Sequence, residues 1–191
     1  PHFLFNTLAS VRALVRQDPA QAEATLDAPV SFLRATIPKL RDDTGLHSTL
    51  GQQPDICASY LALMQVRMGG RLSYSVDADA ALRALPFPPS LLITLVENAI
   101  KHGLEPRTGG GTVWIRARRD DDTVAVTVAD NGEGFNSKTS GTGIGLKNVR
   151  ERLRLRYAGA ANLSVVANFP AGVAATITVP AQAPSRSAAH G

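Results

Sequence analysis

Apolar residues of the first segment fall at Phe3, Leu4, Leu8, Val11, Leu14 and Val15. That is helical spacing with a broad apolar face, and it predicts a helix over 2–16. Asp18-Pro19 then reads as a turn and a new helix start, with Asp as N-cap and Pro in the first helical position. The second helix extends to about Ile37, and Pro29 should kink it. Two helices joined by a tight turn form a hairpin that cannot bury its apolar stripe alone. It is expected to pair with its own copy as a four-helix bundle.

The pattern changes after residues 38–50, where Pro38, Asp42, Asp43 and Gly45 mark a linker. A helix is expected over Gln52 to Met68, then a strand over Arg71 to Val76 with period-two alternation. Pro88-Pro89 opens another helix, Ser90 to His102, with Gly103 as its C′ residue. Strands follow at Gly111 to Arg118 and Thr123 to Ala129, joined at Asp120-Asp121-Asp122. A glycine-rich loop, Asn131 to Gly143, leads into a helix over Ile144 to Tyr157. Strands at Leu163 to Ala167 and Ala174 to Val179 close the pattern. The expected fold class is α+β: a helical hairpin over 1–40, then a two-layer α/β sandwich with a mixed sheet over 46–180. The tail 181–191 is rich in Ala, Ser and Pro and reads as disordered.

Composition narrows the classes. At 191 residues and 44% hydrophobic, the chain has material for a substantial core. Its one cysteine, Cys57, excludes a disulfide framework and reads as a small buried hydrophobe. The run from Ala84 to Val96 is too short to span a membrane and is broken by Pro86, Pro88 and Pro89. The net charge of +4 is scattered, and three Tyr and one Trp offer little stacking surface, which argues against direct nucleic-acid binding. The chain opens on Pro1, directly on a motif, and reads as a piece of something longer.

Three clusters carry chemistry. In Leu95-Val-Glu-Asn-Ala-Ile-Lys-His-Gly103, Asn98 and Lys101 share a helix face. An amide oxygen can ligate a hard cation, and a lysine one turn on can meet phosphate charge. In Val128-Ala-Asp-Asn-Gly-Glu-Gly-Phe135, Asp130 ends a strand where a carboxylate can accept a hydrogen bond from an exocyclic amine. Gly132 and Gly134 then let backbone approach a planar ring, although Asn-Gly is equally a turn signal. In Ser140-Gly-Thr-Gly-Ile-Gly-Leu146, Gly141, Gly143 and Gly145 run into a helix whose N-terminal N–H groups suit an anion.

Together and in this order, the clusters resemble the N, G1 and G2 boxes of the ATP-binding domain shared by histidine kinases, gyrase-type ATPases, Hsp90 and MutL, over roughly residues 46–180. The opening Pro1-His-Phe-Leu-Phe-Asn-Thr-Leu8 is similar to the phosphoacceptor box of LytS-like sensor histidine kinases. Tyr60-Leu61, Arg67, Arg71, Asn148 and Arg152-Leu153 agree with that family. The resemblance implies that Asn98 ligates Mg²⁺ and that Lys101 and His102 lie near the phosphates. It implies that Asp130, Gly132 and Gly134 form the adenine pocket, while Gly141, Gly143, Gly145 and Leu146 shape the ATP lid and phosphate face. His2 would accept the phosphoryl group of ATP and pass it to an Asp of a response regulator, one with a LytTR-type DNA-binding domain. The hairpin would form a homodimer, and the whole would be the cytoplasmic portion of an inner-membrane-anchored bacterial sensor kinase.

Two positions refine the expectation. Phe3 stands where many histidine kinases carry an acid after the phosphoacceptor, leaving Glu97 or Asn6 to orient the imidazole. Thr94 stands where gyrase-type ATPases carry a water-activating Glu, which favours transfer to His2 over hydrolysis. The alternative reading is a nucleotide-binding regulatory module without phosphotransfer.

Overall fold

The computed structural model describes Arg12, Val15, residues 18–20, 49–88, 90–134 and 142–181, the first three residues of the last stretch in backbone only. Most of the predicted hairpin, including His2 and Pro29, lies outside the described residues, as does the tail from residue 182. The backbone is helical at Arg12 and again at Pro19 and Ala20, with Asp18 outside the helix, in keeping with the expected helix start.

Helix α1, Gln52–Arg67, buries Cys57, Tyr60, Leu61 and Met64, a stripe at helical spacing. Burial pushes the Cys57 thiol well up, so the residue behaves as the small hydrophobe expected. The helix stops at two glycines with positive φ, 61° at Gly69 and 79° at Gly70. The Gly70 N–H caps back onto the Gln65 carbonyl at 3.1 Å. The expected linker ends earlier than residue 50. Leu50 is fully buried, its N–H donates to the Leu85 carbonyl at 2.8 Å, and Thr49 bridges Pro86.

Strand β1, Leu72–Ala78, runs parallel to β2, Gly111–Asp120. Strands β3, Thr123–Asp130, β4, Asn162–Ala167, and β5, Val173–Pro180, complete a sheet of order β1-β2-β3-β5-β4, with every pairing after the first antiparallel. The alternation expected from sequence is visible as burial. Val113, Ile115 and Ala117 of β2 and Val124, Val126 and Val128 of β3 point into the core, and Arg116 and Arg118 point out. Helices α1, α2 (Leu91–Asn98) and α3 (Thr142–Tyr157) contribute to the same core through Leu61, Leu92, Leu95, Val149 and Leu153. Each such side chain contributes about 1.5–3 kcal/mol on burial. This is the mixed-sheet sandwich expected.

Two boundaries differ from expectation, and both lie at the chemistry. The helix from Leu91 does not stop before Gly103. It continues as a π-helical turn, Ala99–Leu104, closed by the Glu105 N–H donating to the Ile100 carbonyl at 2.8 Å. Gly103 is therefore a buried member of the turn rather than a C′ residue, and the space left by its missing side chain is taken by β3's end. Helix α3 begins at Thr142, so Gly143 stands in its first turn rather than in the preceding loop.

Candidate functional site

The end of β3 supplies the central group. Asp130 is 3% exposed, a buried carboxylate in an otherwise apolar layer. Its Oδ1 accepts the Gly132 N–H at 2.8 Å, which folds the Asp-Asn-Gly segment into a tight turn. Burial pushes its carboxyl above the ordinary value, while the N–H groups of Gly132 and Val173 pull it back. A carboxylate has about four acceptor positions. Two backbone donors leave room for an amine.

The π turn and this Asp-Asn-Gly turn interlock. A Cβ on Gly103 would lie 2.7 Å from Asp130 Oδ1, and a Cβ on Gly132 would run into the Gly103 backbone. The Glu133 N–H donates to the Gly103 carbonyl at 3.0 Å. The two glycines face each other because only bare α-carbons allow the approach. The Asn131 Oδ1 accepts the Thr112 N–H at 2.7 Å, and the Arg107 guanidinium reaches the Asn131 carbonyl. Gly134 takes a positive φ of 76°.

Asn98 ends α2. Its Nδ2 is buried and lacks a hydrogen-bond partner among the described residues. It adjoins the first turn of α3: a Cβ on Gly145 would sit 3.7 Å from Nδ2 and 3.8 Å from Oδ1. The Oδ1 of the same amide is the kind of oxygen that a hard divalent cation takes. Asn98 is thus a fitting ligand for Mg²⁺ through Oδ1.

Lys101 is exposed on the π turn, and His102 is half-buried beside it. Burial first, then the Lys101 charge, hold the His102 imidazole below its ordinary pKa, with Glu105 opposing. At neutral pH His102 is therefore an uncharged neighbour. Leu146 packs half-buried against the core. Thr94 donates its hydroxyl to the Ser90 carbonyl at 3.1 Å and turns its methyl toward Gly145. Burial pushes the Glu97 carboxyl up, against the pull of Lys101. His2, Asn6 and Gly141 lie outside the described residues.

The structure thus brings Gly103, Asp130 and Gly132 into contact, and sets Asn98 against Gly145. Sequence reasoning missed what braces Asp130 from the other side. Asn168 Nδ2 donates to the Asp130 backbone carbonyl at 2.8 Å, and Gly172, at φ 100°, leaves room for that same carbonyl. Neither Asn168 nor Gly172 stands in one of the three sequence clusters. A separate cleft of about 500 Å³, lined by Asp77, Asp79, Leu82, Arg118 and Arg119, lies at the other end of β2 from Val113, the partner of Asp130.

Comparison with known proteins places this arrangement. The sequence profile of the histidine kinase-, DNA gyrase B- and HSP90-like ATPase family matches residues 88–183, and that of the histidine kinase family matches residues 1–72. Sensor histidine kinase YesM of Bacillus subtilis is 31% identical over 94% of this chain, and sensor protein LytS of Oceanobacillus iheyensis is 33% identical over 80%. The chain spans only 31% and 28% of those relatives' lengths. Among solved structures, the catalytic domain of histidine kinase ThkA superposes with a TM-score of 0.56 at 18% identity, covering 72% of this chain and 96% of that domain. The histidine kinase domain of the Erythrobacter litoralis EL346 blue-light activated kinase gives 0.54 at 18% identity over 92% and 91%. The complex of ThkA with response regulator protein TrrA gives 0.53 at 15% identity over 97% and 60%. The chain belongs to the histidine kinase-, DNA gyrase B- and HSP90-like ATPase family, and its sequence is similar to those of LytS- and YesM-type sensor histidine kinases.

Proposed function

We propose that this chain is the catalytic portion of a two-component sensor histidine kinase that binds ATP with Mg²⁺ and transfers the γ-phosphoryl group to His2. The observation that carries the reading is Asp130: a buried carboxylate, braced by backbone on two sides, with acceptor capacity left for the adenine amine. Asn98 and Lys101 lie one helical turn apart on the element that also backs Asp130, so base and phosphates would be read from one rigid unit. Asn98 would hold Mg²⁺ through Oδ1, which would supply positive charge against that of the phosphates.

In the transfer, an imidazole nitrogen of neutral His2 attacks the γ-phosphorus. A P–N bond forms, the P–O bond to ADP breaks, and the proton on the other ring nitrogen is released. Thr94, its hydroxyl engaged by Ser90 and without a basic group, offers no activation of water at the place where a hydrolase needs it. The phosphoryl group then passes to an aspartate of a response regulator, which the response-regulator complex of ThkA on the same fold supports. The family resemblance favours a regulator with a LytTR-type DNA-binding domain, a homodimer through the hairpin, and an anchor in the inner membrane supplied by a further segment. No helix among the described residues is long and apolar enough to cross a membrane.

The test is incubation with γ-labelled ATP and Mg²⁺. The expected result is label that is acid-labile, alkali-stable and absent in His2→Gln. Acid-stable label, or ATP binding without any label in a chain extended before His2, would overturn the reading.

A further inference from the structure

Strands β3 and β5 pair from Thr123↔Pro180 to Ala129↔Ala174, and the ladder ends there. Asp130, one residue further, still pairs with Val113 of β2 on its other side but has no ladder partner on β5. A buried carbonyl left without a donor costs free energy, so a substitute is required. The turn between β4 and β5 provides it. The Asn168 side-chain N–H donates to the Asp130 carbonyl at 2.8 Å.

The turn is shaped around this bond. The Asn168 N–H donates to the Gly172 carbonyl at 3.0 Å and closes the loop. Gly172 takes a φ of 100°, where only glycine is unstrained, and a Cβ there would run into the Asp130 carbonyl. The next residue, Val173, gives its N–H to the Asp130 carboxylate. One loop therefore holds Asp130 twice, by its backbone through Asn168 and by its carboxylate through Val173.

We infer that Asn168 is a positioning residue that sets the purine selectivity of the site by fixing the backbone of Asp130, and thereby the direction in which its carboxylate meets the adenine amine. The inference rests on the reading of Asp130 as the adenine acceptor. Asn168 touches no nucleotide atom itself. Its loss leaves the Asp130 carbonyl without that donor and lets the Asp130–Asn131 peptide, still held through its N–H by the Thr112 carbonyl, tilt, and a hydrogen bond to the exocyclic amine is direction-sensitive. Contacts to the triphosphate, made from Asn98, Lys101 and the start of α3, are carried by other elements and do not depend on it.

The probes are ATP and inosine triphosphate, which replaces the amine by a carbonyl oxygen, titrated calorimetrically with Mg²⁺ into the wild-type chain, Asn168→Ala and the isosteric Asn168→Asp. The wild type is expected to prefer ATP. Both variants are expected to lose about five- to tenfold in ATP affinity, the effect of one hydrogen bond, and to leave inosine triphosphate affinity unchanged, so the ratio collapses. If Asn168 were merely structural, both nucleotides would weaken together and the ratio would persist, which overturns the inference. Unchanged ATP affinity in the variants also overturns it. A wild-type chain that binds both nucleotides equally would instead overturn the adenine reading of Asp130, and the inference with it.

Discussion

The α-carbon of Gly103 stands against the carboxylate of Asp130, so close that a Cβ on Gly103 would lie 2.7 Å from Oδ1. A π turn brings it there. The wider turn shifts the backbone by a residue relative to a continuing α-helix and presses it onto the Asp-Asn-Gly segment. Gly103→Ala should therefore displace the acceptor rather than merely crowd the core. The expected outcome is a loss of about 1–3 kcal/mol in unfolding free energy, with ATP affinity down at least tenfold. Denaturant melts and calorimetry check it. As a control, Gly145→Ala meets only ordinary contacts, the nearest at 3.6 Å, and should keep its stability within about 0.5 kcal/mol.

Asp130 predicts opposite pH trends for stability and for selectivity. Its folded pKa is raised above the ordinary carboxyl value of 3.8, mainly by burial. The folded state then holds more protons than the unfolded one between 3.8 and the raised value, so Asp130's contribution to stability falls as pH rises through that window. The adenine amine needs the charged acceptor. A protonated carboxyl can instead donate to the 6-oxo group of inosine, so the preference for ATP should grow over the same window. Asp130→Asn should abolish both trends. A selectivity profile that stays pH-dependent in Asp130→Asn would place the titrating group elsewhere.

At Asn98 the balance between stability and function runs differently. A buried amide nitrogen without a partner among the described residues costs about 1–3 kcal/mol. Asn98→Ala removes that cost along with some packing, so the stability of the nucleotide-free protein should stay within about 1 kcal/mol of wild type or rise. Binding of ATP should lose its dependence on Mg²⁺, seen by titrating in the presence of Mg²⁺ and of a chelator. An Asn98→Ala variant that still gains affinity from Mg²⁺ would move the cation to another ligand.

How much of this was legible follows from what kind of signal each part leaves. The period-two strands and the stripes of α1 and α3 are written in burial, and burial is what periodicity reports. Asn98 and Asp130 were legible because they stand in short motifs of unusual residue type. The π turn was not. Gly103 looks like a helix stop, because a glycine after Lys-His carries the same local signal whether it ends a helix or makes room for a neighbour. That neighbour, Asp130, lies 27 residues further on, and only tertiary packing brings the two together. Asn168 was illegible for the same reason. An asparagine in a turn is ordinary, and its task is visible only once the β3–β5 ladder is seen to end at Ala129.

Arg71 shows the same limit from the side of the family resemblance, which marks the residue without saying what it does. Its guanidinium acts as a staple: Nη1 donates to the carbonyls of Arg107 at 2.9 Å and Thr108 at 3.0 Å, and Nε donates to Met68 at 3.1 Å. The Arg71 carbonyl accepts the Gly111 N–H at 3.0 Å at the start of the β1–β2 pairing. The segment it holds leads directly out of the π turn, and Arg67 adds an ion pair to Glu105 at 3.2 Å. Arg71→Ala should therefore loosen the exit of the turn that backs Asp130. The expected cost is about 1–2 kcal/mol in stability, with faster amide exchange at Glu105 and Gly110. Arg71→Lys cannot span three carbonyls with a planar fork and should recover only part of it. Amide exchange that quickens uniformly across the sheet, rather than at this segment, would show that Arg71 stabilises the fold as a whole and does not brace the site.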